Sequence, residues 1–206
     1  MALHDDAVRV LSGWRAPDDG QEQLRTAYLE HLSRHDDGLT RGCVPAHLTA
    51  SALVVDATGE QVLLALHRKG GFWAQLGGHC EPVDETLSGA ALREAGEESG
   101  IDGLRVLGSG PVDLDRHALS GAFGSCGEHL DVRYVVVAPP DAQPVVSDES
   151  DDVRWFAWDA LPNDAVVDLS RLASAARALF GEHGHVTGPS TSGAILSPAA
   201  AATPSR

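Results

Sequence analysis

The sequence predicts an α/β fold in which helices enclose a mixed sheet. Amphipathic helical runs stand at both ends of the patterned part of the chain, and β-branched, apolar runs broken by turn residues lie between them. One of those runs enters a Gly-Gly turn that leads straight into a further helix, as sheet-and-helix layers require.

Residues 3–12 and 21–35 read as two short helices separated by the breaker cluster APDDG; in the second, Leu24, Tyr28, Leu29 and Leu32 recur at helical spacing. They form an N-terminal helical extension over residues 1–44. From His47 the pattern changes to strands. LTASALVVD and QVLLALH are joined by ATGE, a hairpin signal. WAQLGG is a third short strand, residues 85–99 form a helix, and Gly100 is placed to cap its C-terminus. Strands are expected near 104–108, 112–116, 131–138 and 153–158. A closing helix follows from Leu169 to Phe180, with Leu172, Ala176, Leu179 and Phe180 on its apolar side. The main domain therefore spans 45–183. Residues 184–206, rich in Gly, Pro, Ser, Thr and Ala, are expected to be disordered. The chain shows no internal repeat.

Two hundred and six residues suffice for one packed domain with appendages. Fifteen Lys and Arg against 30 Asp and Glu give a net charge of −15, and Lys69 is the only lysine. Bulk nucleic acid is excluded as a partner, since phosphate backbones are held by clustered cations. The acid is concentrated. Residues 77–101 carry six acidic groups and one arginine, and residues 141–164 carry seven and one. Such blocks direct attention to a cation site. The three cysteines, Cys43, Cys80 and Cys126, suit reduced thiols. Cys126 and His129 have C-x-x-H spacing, but no second pair stands at zinc-site spacing, so no structural zinc is expected. The N-terminus lacks the apolar core of a signal peptide, and no apolar run approaches membrane-spanning length, so a cytoplasmic protein without a membrane partner is expected.

Chemistry is concentrated in GGHCEPVDETLSGAALREAGEESGI, residues 77–101. Glu94, Glu97 and Glu98 lie at i, i+3 and i+4, so a helix puts their carboxylates on one stripe. Arg93 cannot neutralise all three. A hard divalent cation can, and oxygen donors favour Mg²⁺ or Mn²⁺. Read alone, the stripe also fits a solvated acidic face with an Arg93–Glu97 pair.

The order of the segment goes further. REAGEESGI fills R-E-[apolar]-x-E-E-x-G-[apolar] at every position, after a Gly-Gly turn and an acidic loop. It resembles the signature box of the Nudix hydrolase family. The resemblance implies a Nudix-like α/β/α sandwich and a metal-dependent pyrophosphohydrolase cleaving a nucleoside diphosphate linked to another moiety, or a similar small diphosphate. It also implies catalytic roles for Arg93, Glu94, Glu97 and Glu98. Mg²⁺, with Mn²⁺ as a substitute, would be held by those three glutamates and a carbonyl at Gly78. The family pattern G-x5-E-x7-R-E-x2-E-E is one residue too short for this loop. Counting from Gly78 reaches Asp84, and counting back from Arg93 reaches Glu85. Because a loop absorbs an insertion more cheaply than a helix, the extra residue is placed around Pro82–Val83–Asp84 and Glu85 is assigned to the motif; Asp84 stays open as its substitute, with a helix N-cap as its expected role.

Some relatives carry a general base in a later acidic loop, here SDESDDVRWF, and Glu149 is the candidate. HRKGGFW contributes Arg68, Lys69 and Trp73 as substrate contacts for phosphate or a base ring. Gly77 and Gly78 allow phosphates to approach the backbone. His117 and His129 flank a glycine-rich loop and are candidates for the pocket. Two other readings remain open. One is an isopentenyl-diphosphate isomerase relative, whose reactive-cysteine slot here holds Gly77, with Cys80 beyond the turn. The other is a non-catalytic nucleotide-sensing domain on the same fold. The substrate and the oligomeric state, a homodimer included, are left open.

Overall fold

A computed structural model describes residues 3–119, 126–148 and 150–183. The expected disordered tail over 184–206 and the candidate base Glu149 lie outside the described residues. The elements, in order, are α1 (Leu3–Gly13), α2 (Asp19–Arg34), β1 (Ala46–Val55), β2 (Gln61–His67), β3 (Trp73–Ala74), β4 (Leu76–His79), α3 (Leu87–Ser99), β5 (Arg105–Leu107), β6 (Asp113–Ala118), β7 (Glu128–Val137), β8 (Ser150–Ala157) and α4 (Leu169–His183). The α/β class holds, with a mixed eight-stranded sheet.

β1 and β7 run parallel through the centre, in register from Ala46↔Glu128 to Val55↔Val137. Each of these strands is flanked by a fork. Along β1, β4 pairs with residues 49–52 and β2 with 54–55, both antiparallel. Along β7, β6 pairs with residues 128–133 and β5 with 135–137. β8 and β3 extend the sheet beyond β2.

The alternation of side chains along β1 divides the core. Leu48, Ala50, Ala52 and Val54 face a cluster shared with α1, α2 and α3, whereas Leu53 and Val55 face a second cluster under α4. The N-terminal helices belong to the first cluster: Ala7, Leu11 and Tyr28 are fully buried in it and Leu32 is 1% exposed. Their polar groups are tied in as well. The Gln21 side chain donates to the Leu114 carbonyl at 2.9 Å and accepts from its N–H at 2.7 Å. The Tyr28 hydroxyl donates to the Asp115 carbonyl. No helix among the described residues is long and apolar enough to cross a membrane.

Candidate active site

α3 begins at Leu87 because two side chains satisfy its first N–H groups. Thr86 is the N-cap, accepting from Gly89 N–H at 3.0 Å, and Asp6 of α1 accepts from Leu87 N–H at 2.9 Å. Gly100, at φ +65°, closes the other end in the left-handed conformation. Ala90, Ala91 and Ala95 are fully buried on the core side of α3. Glu94 is 9% exposed at the sheet, while the Glu97 side chain is 60% exposed.

α3 lies against the Gly-Gly turn of β4. A Cβ at Gly78 would stand 2.8 Å from Glu94 Oε2 and 2.9 Å from its Cδ, so a side chain there would have to push this carboxylate aside. Glu98 Oε2 accepts from the Gly77 N–H at 3.0 Å. Arg93 Nη1 donates to Glu94 at 3.1 Å and Glu97 at 2.9 Å, and Nη2 donates to the His79 carbonyl at 3.0 Å. Arginine, turn and glutamates thus form one unit, as the motif implies. The three carboxylates are held by these partners.

The loop acid differs from expectation. Asp84, not Glu85, meets Arg93, accepting Nε and Nη2 at 2.9 Å each and Glu81 N–H at 2.7 Å. Glu85 is exposed, and the cap assigned to Asp84 is Thr86. The spacing from Gly78 is therefore kept, and the extra residue lies after Asp84, where the loop turns into α3. Burial by itself would raise the Asp84 carboxyl, but the Arg93 bonds and the Glu81 N–H outweigh it and hold it below its ordinary value.

The opposite face of β1 near the turn is polar, in cross-strand rows that the register defines. His47, His129 and His117 form one row; His79, Thr49, Asp131 and Asp115 a second; and Gly77, Ser51, Arg133 and Asp113 a third. Asp131 accepts from Thr49 at 3.0 Å, Ser51 at 2.6 Å, Arg133 Nε at 3.0 Å and Gln75 Nε2 at 3.3 Å. Arg133, 2% exposed, is ringed by Asp113, Asp115, Asp131 and Asp168, and this ring holds its guanidinium charged despite burial. This face was missed because LTASALVVD reads as a plain apolar run. The signal was there: polar residues at every second position of β1 (47, 49, 51), β7 (129, 131, 133) and β6 (113, 115, 117).

His117 and His129, singled out as a pair, are brought together with ring centroids 5.4 Å apart. His47 and His79 join them, each 5.0 Å from His129 and 5.0 Å from one another. Burial, followed by the neighbouring imidazoles His79, His117 and His47, lowers His129 to about 3, so its ring is neutral at pH 7. Burial pulls His117 down, but Asp115 Oδ2 at 2.8 Å from Nδ1 and the nearby Asp131 raise it overall.

The remaining candidates lie elsewhere. Arg68 and Lys69 stand exposed on the β2–β3 turn, with Arg68 bound to Asp151 at 3.0 Å and to the Ser150 carbonyl at 3.0 Å. Trp73 is 7% exposed, packed edge-on against Phe156 with Arg154 over its ring at 5.0 Å. Its ring is part of the core under α4 and not an open platform. Cys80 is 7% exposed, and burial pushes its thiol up to about 12, which does not suit a reactive thiolate.

The family model described as the NUDIX domain matches residues 45–176. A NUDIX-family hydrolase from Clostridium perfringens superposes with a TM-score of 0.54 at 23% identity, covering 65% of this chain and 97% of that one. A C. elegans Ap4A hydrolase gives 0.52 at 16% identity, covering 66% and 98%. The E. coli dihydroneopterin triphosphate pyrophosphohydrolase gives 0.50 at 18%, covering 65% and 92%. At these identities the likeness is one of fold. No curated protein sequence matches the chain.

Proposed function

The chain belongs to the NUDIX domain family, hydrolases of phosphoric anhydride bonds, and from that premise we propose that it cleaves a small diphosphate in which a nucleoside diphosphate is linked to another moiety. The observation that carries the reading is the seating of the Glu94 carboxylate against Gly78, where a Cβ would stand 2.8 Å from Glu94 Oε2 and have to displace it. Two of the solved relatives are named for different substrates, Ap4A and dihydroneopterin triphosphate, so the fold does not select the substrate.

The donor set fits Mg²⁺, with Mn²⁺ as a substitute: Glu94, Glu97, Glu98 and the Gly78 carbonyl offer only hard oxygens, and would hold the ion between α3 and the turn. Bound there, the ion would neutralise the diphosphate and lower the pKa of water. The chain's own groups do the rest. Arg93, fixed by Asp84 and the His79 carbonyl, aligns Glu94 and Glu97. Glu97, with a 60% exposed side chain, can turn toward a ligand at small cost. Gly77 N–H orients Glu98. Glu149 would take the proton of the attacking water, a role assigned from its place in the acidic segment before β8. Arg68 and Lys69 stand at the end of β2 beside that strand and would meet the outer phosphate or leaving group. His117 and His129 border the polar face beyond the turn.

The test is the appearance of a nucleoside monophosphate, resolved by chromatography, from a panel of nucleotide sugars, dinucleoside polyphosphates, ADP-ribose and oxidised nucleotides with Mg²⁺ or Mn²⁺. Glu98→Gln and Glu94→Gln should each cost at least ~100-fold in kcat. Full activity in both variants would remove the reading.

A further inference from the structure

We propose that His47, Cys126 and His129 form a transition-metal site for Zn²⁺, separate from the carboxylate site on α3. Their ligand atoms lie within 4.8 Å of one another. Two come from neighbouring central strands at a paired position, His47↔His129, and the third lies in the segment that enters β7. Two imidazoles and a thiolate are borderline-soft donors suited to zinc and poorly suited to magnesium.

The details are those of a metal site. His47 is 1% exposed, and its Nδ1 lies 3.3 Å from the Cys43 carbonyl. Cys126 Sγ lies 3.3 Å from that Nδ1 and 4.0 Å from Nε2. A tetrahedral zinc with ordinary bond lengths separates nitrogen and sulfur by ~3.6 Å, a distance these two contacts bracket. His129 Nε2 is buried and has no hydrogen-bond partner. A cation at this point would satisfy that nitrogen. His79 stands beside the group, its ring centroid 5.0 Å from those of both His47 and His129.

On binding, the Cys126 thiol releases its proton to solvent, ending its present hydrogen bond to the Glu128 carbonyl at 3.2 Å, and both imidazoles bind as neutral ligands. No redox step is involved. The site lies on the polar face of β1, whereas α3 and its glutamates pack on the apolar face. The ion would clamp the starts of β1 and β7 together.

The full chain, stripped with a chelator and held in excess Mg²⁺ to occupy the carboxylates, is titrated with Co²⁺. The expected result is about one equivalent bound, with a thiolate-to-cobalt charge-transfer band and intense tetrahedral visible bands, both abolished by Zn²⁺. Cys126→Ser should remove the charge-transfer band and weaken zinc at least ~10-fold, while Cys43→Ser leaves both unchanged. X-ray absorption of the native, zinc-loaded chain should show a sulfur neighbour at about 2.3 Å, a readout that does not depend on any variant folding. A zinc shell of nitrogen and oxygen only, or a band that survives Cys126→Ser and disappears in Cys43→Ser, would overturn the proposal.

Discussion

Replacing Asp84 tests the reading of the loop most directly, because the neighbouring Glu85 provides a control of the same charge. The Asp84 side chain is 5% exposed and Arg93 18%, and two guanidinium bonds of 2.9 Å join them. Asp84→Ala removes both and also frees Glu81 N–H. Arg93 keeps Glu94, Glu97 and the His79 carbonyl, so it is not orphaned. The cost should fall at about 2–3 kcal/mol, between a charged hydrogen bond and a broken buried pair. For a chain of this length that lowers Tm by roughly 5–10 °C. Glu85→Ala, at an exposed site, should stay within about 0.5 kcal/mol of the parent. pH supplies a second readout. The Asp84 carboxyl is held below its ordinary value of 3.8, so its contribution is complete above that pH and is lost as pH falls through the lower folded value. The difference between the parent and Asp84→Ala should therefore be full at pH 7 and shrink below about pH 4. Thermal and urea unfolding measure both. Equal effects of the Asp84 and Glu85 substitutions at pH 7 would refute the assignment.

Three further outcomes follow from the geometry. Gly78→Ala puts a Cβ 2.8 Å from Glu94 Oε2, and displacing that carboxylate should lower kcat about 100-fold with the fold retained by circular dichroism. Leu11→Ala, at a fully buried position in α1, should cost about 2–5 kcal/mol in one cooperative transition; two separated transitions would show that the N-terminal helices fold apart from the sheet. Trp73→Ala should cost about 3–5 kcal/mol in urea unfolding, as expected of a core ring; an unchanged midpoint with a raised KM would return it to substrate binding.

What was legible in the sequence was local. Glu94, Glu97 and Glu98 share a stripe by helical spacing alone, and Gly100 stops α3 where expected. The β1–β2 turn and α4 are likewise written within short windows. Pairings made at long range were not legible. His47 meets His129 because β1 and β7 run parallel across some eighty intervening residues, so Cys126 and His129 read as a pair without a partner. Spacing counts could not say on which side of Asp84 the extra residue falls, because either choice preserves one half of the motif; the bonds from Arg93 to Asp84 decide it. Trp73 stands beside a cationic turn in sequence, yet Phe156 and Arg154 from β8 enclose it, and no local pattern records that strand pairing.

The alanines around the motif have a consequence for the placement of Glu94 that composition alone hides. The Glu94 carboxylate reaches Gly78 because α3 packs on β1 and β4, and a Cβ at residue 78 would stand 2.8 Å from its Oε2. The layers between them are made of small side chains. Ala50 and Ala52 on β1 and Ala90, Ala91 and Ala95 on α3 are all fully buried in the same cluster. Leucines at these positions would bury more apolar area, but overpacking would cost about 1–3 kcal/mol and lift the helix from the sheet. Stability would then be exchanged directly against carboxylate placement. The same alternation of β1 that presents Ala50 and Ala52 to α3 presents His47, Thr49 and Ser51 to the other side, so one strand sets the position of the glutamates and carries the polar rows behind them. A one-residue slip of β1 would exchange the two faces and disable both at once, which ties the register of the central parallel pair to the chemistry.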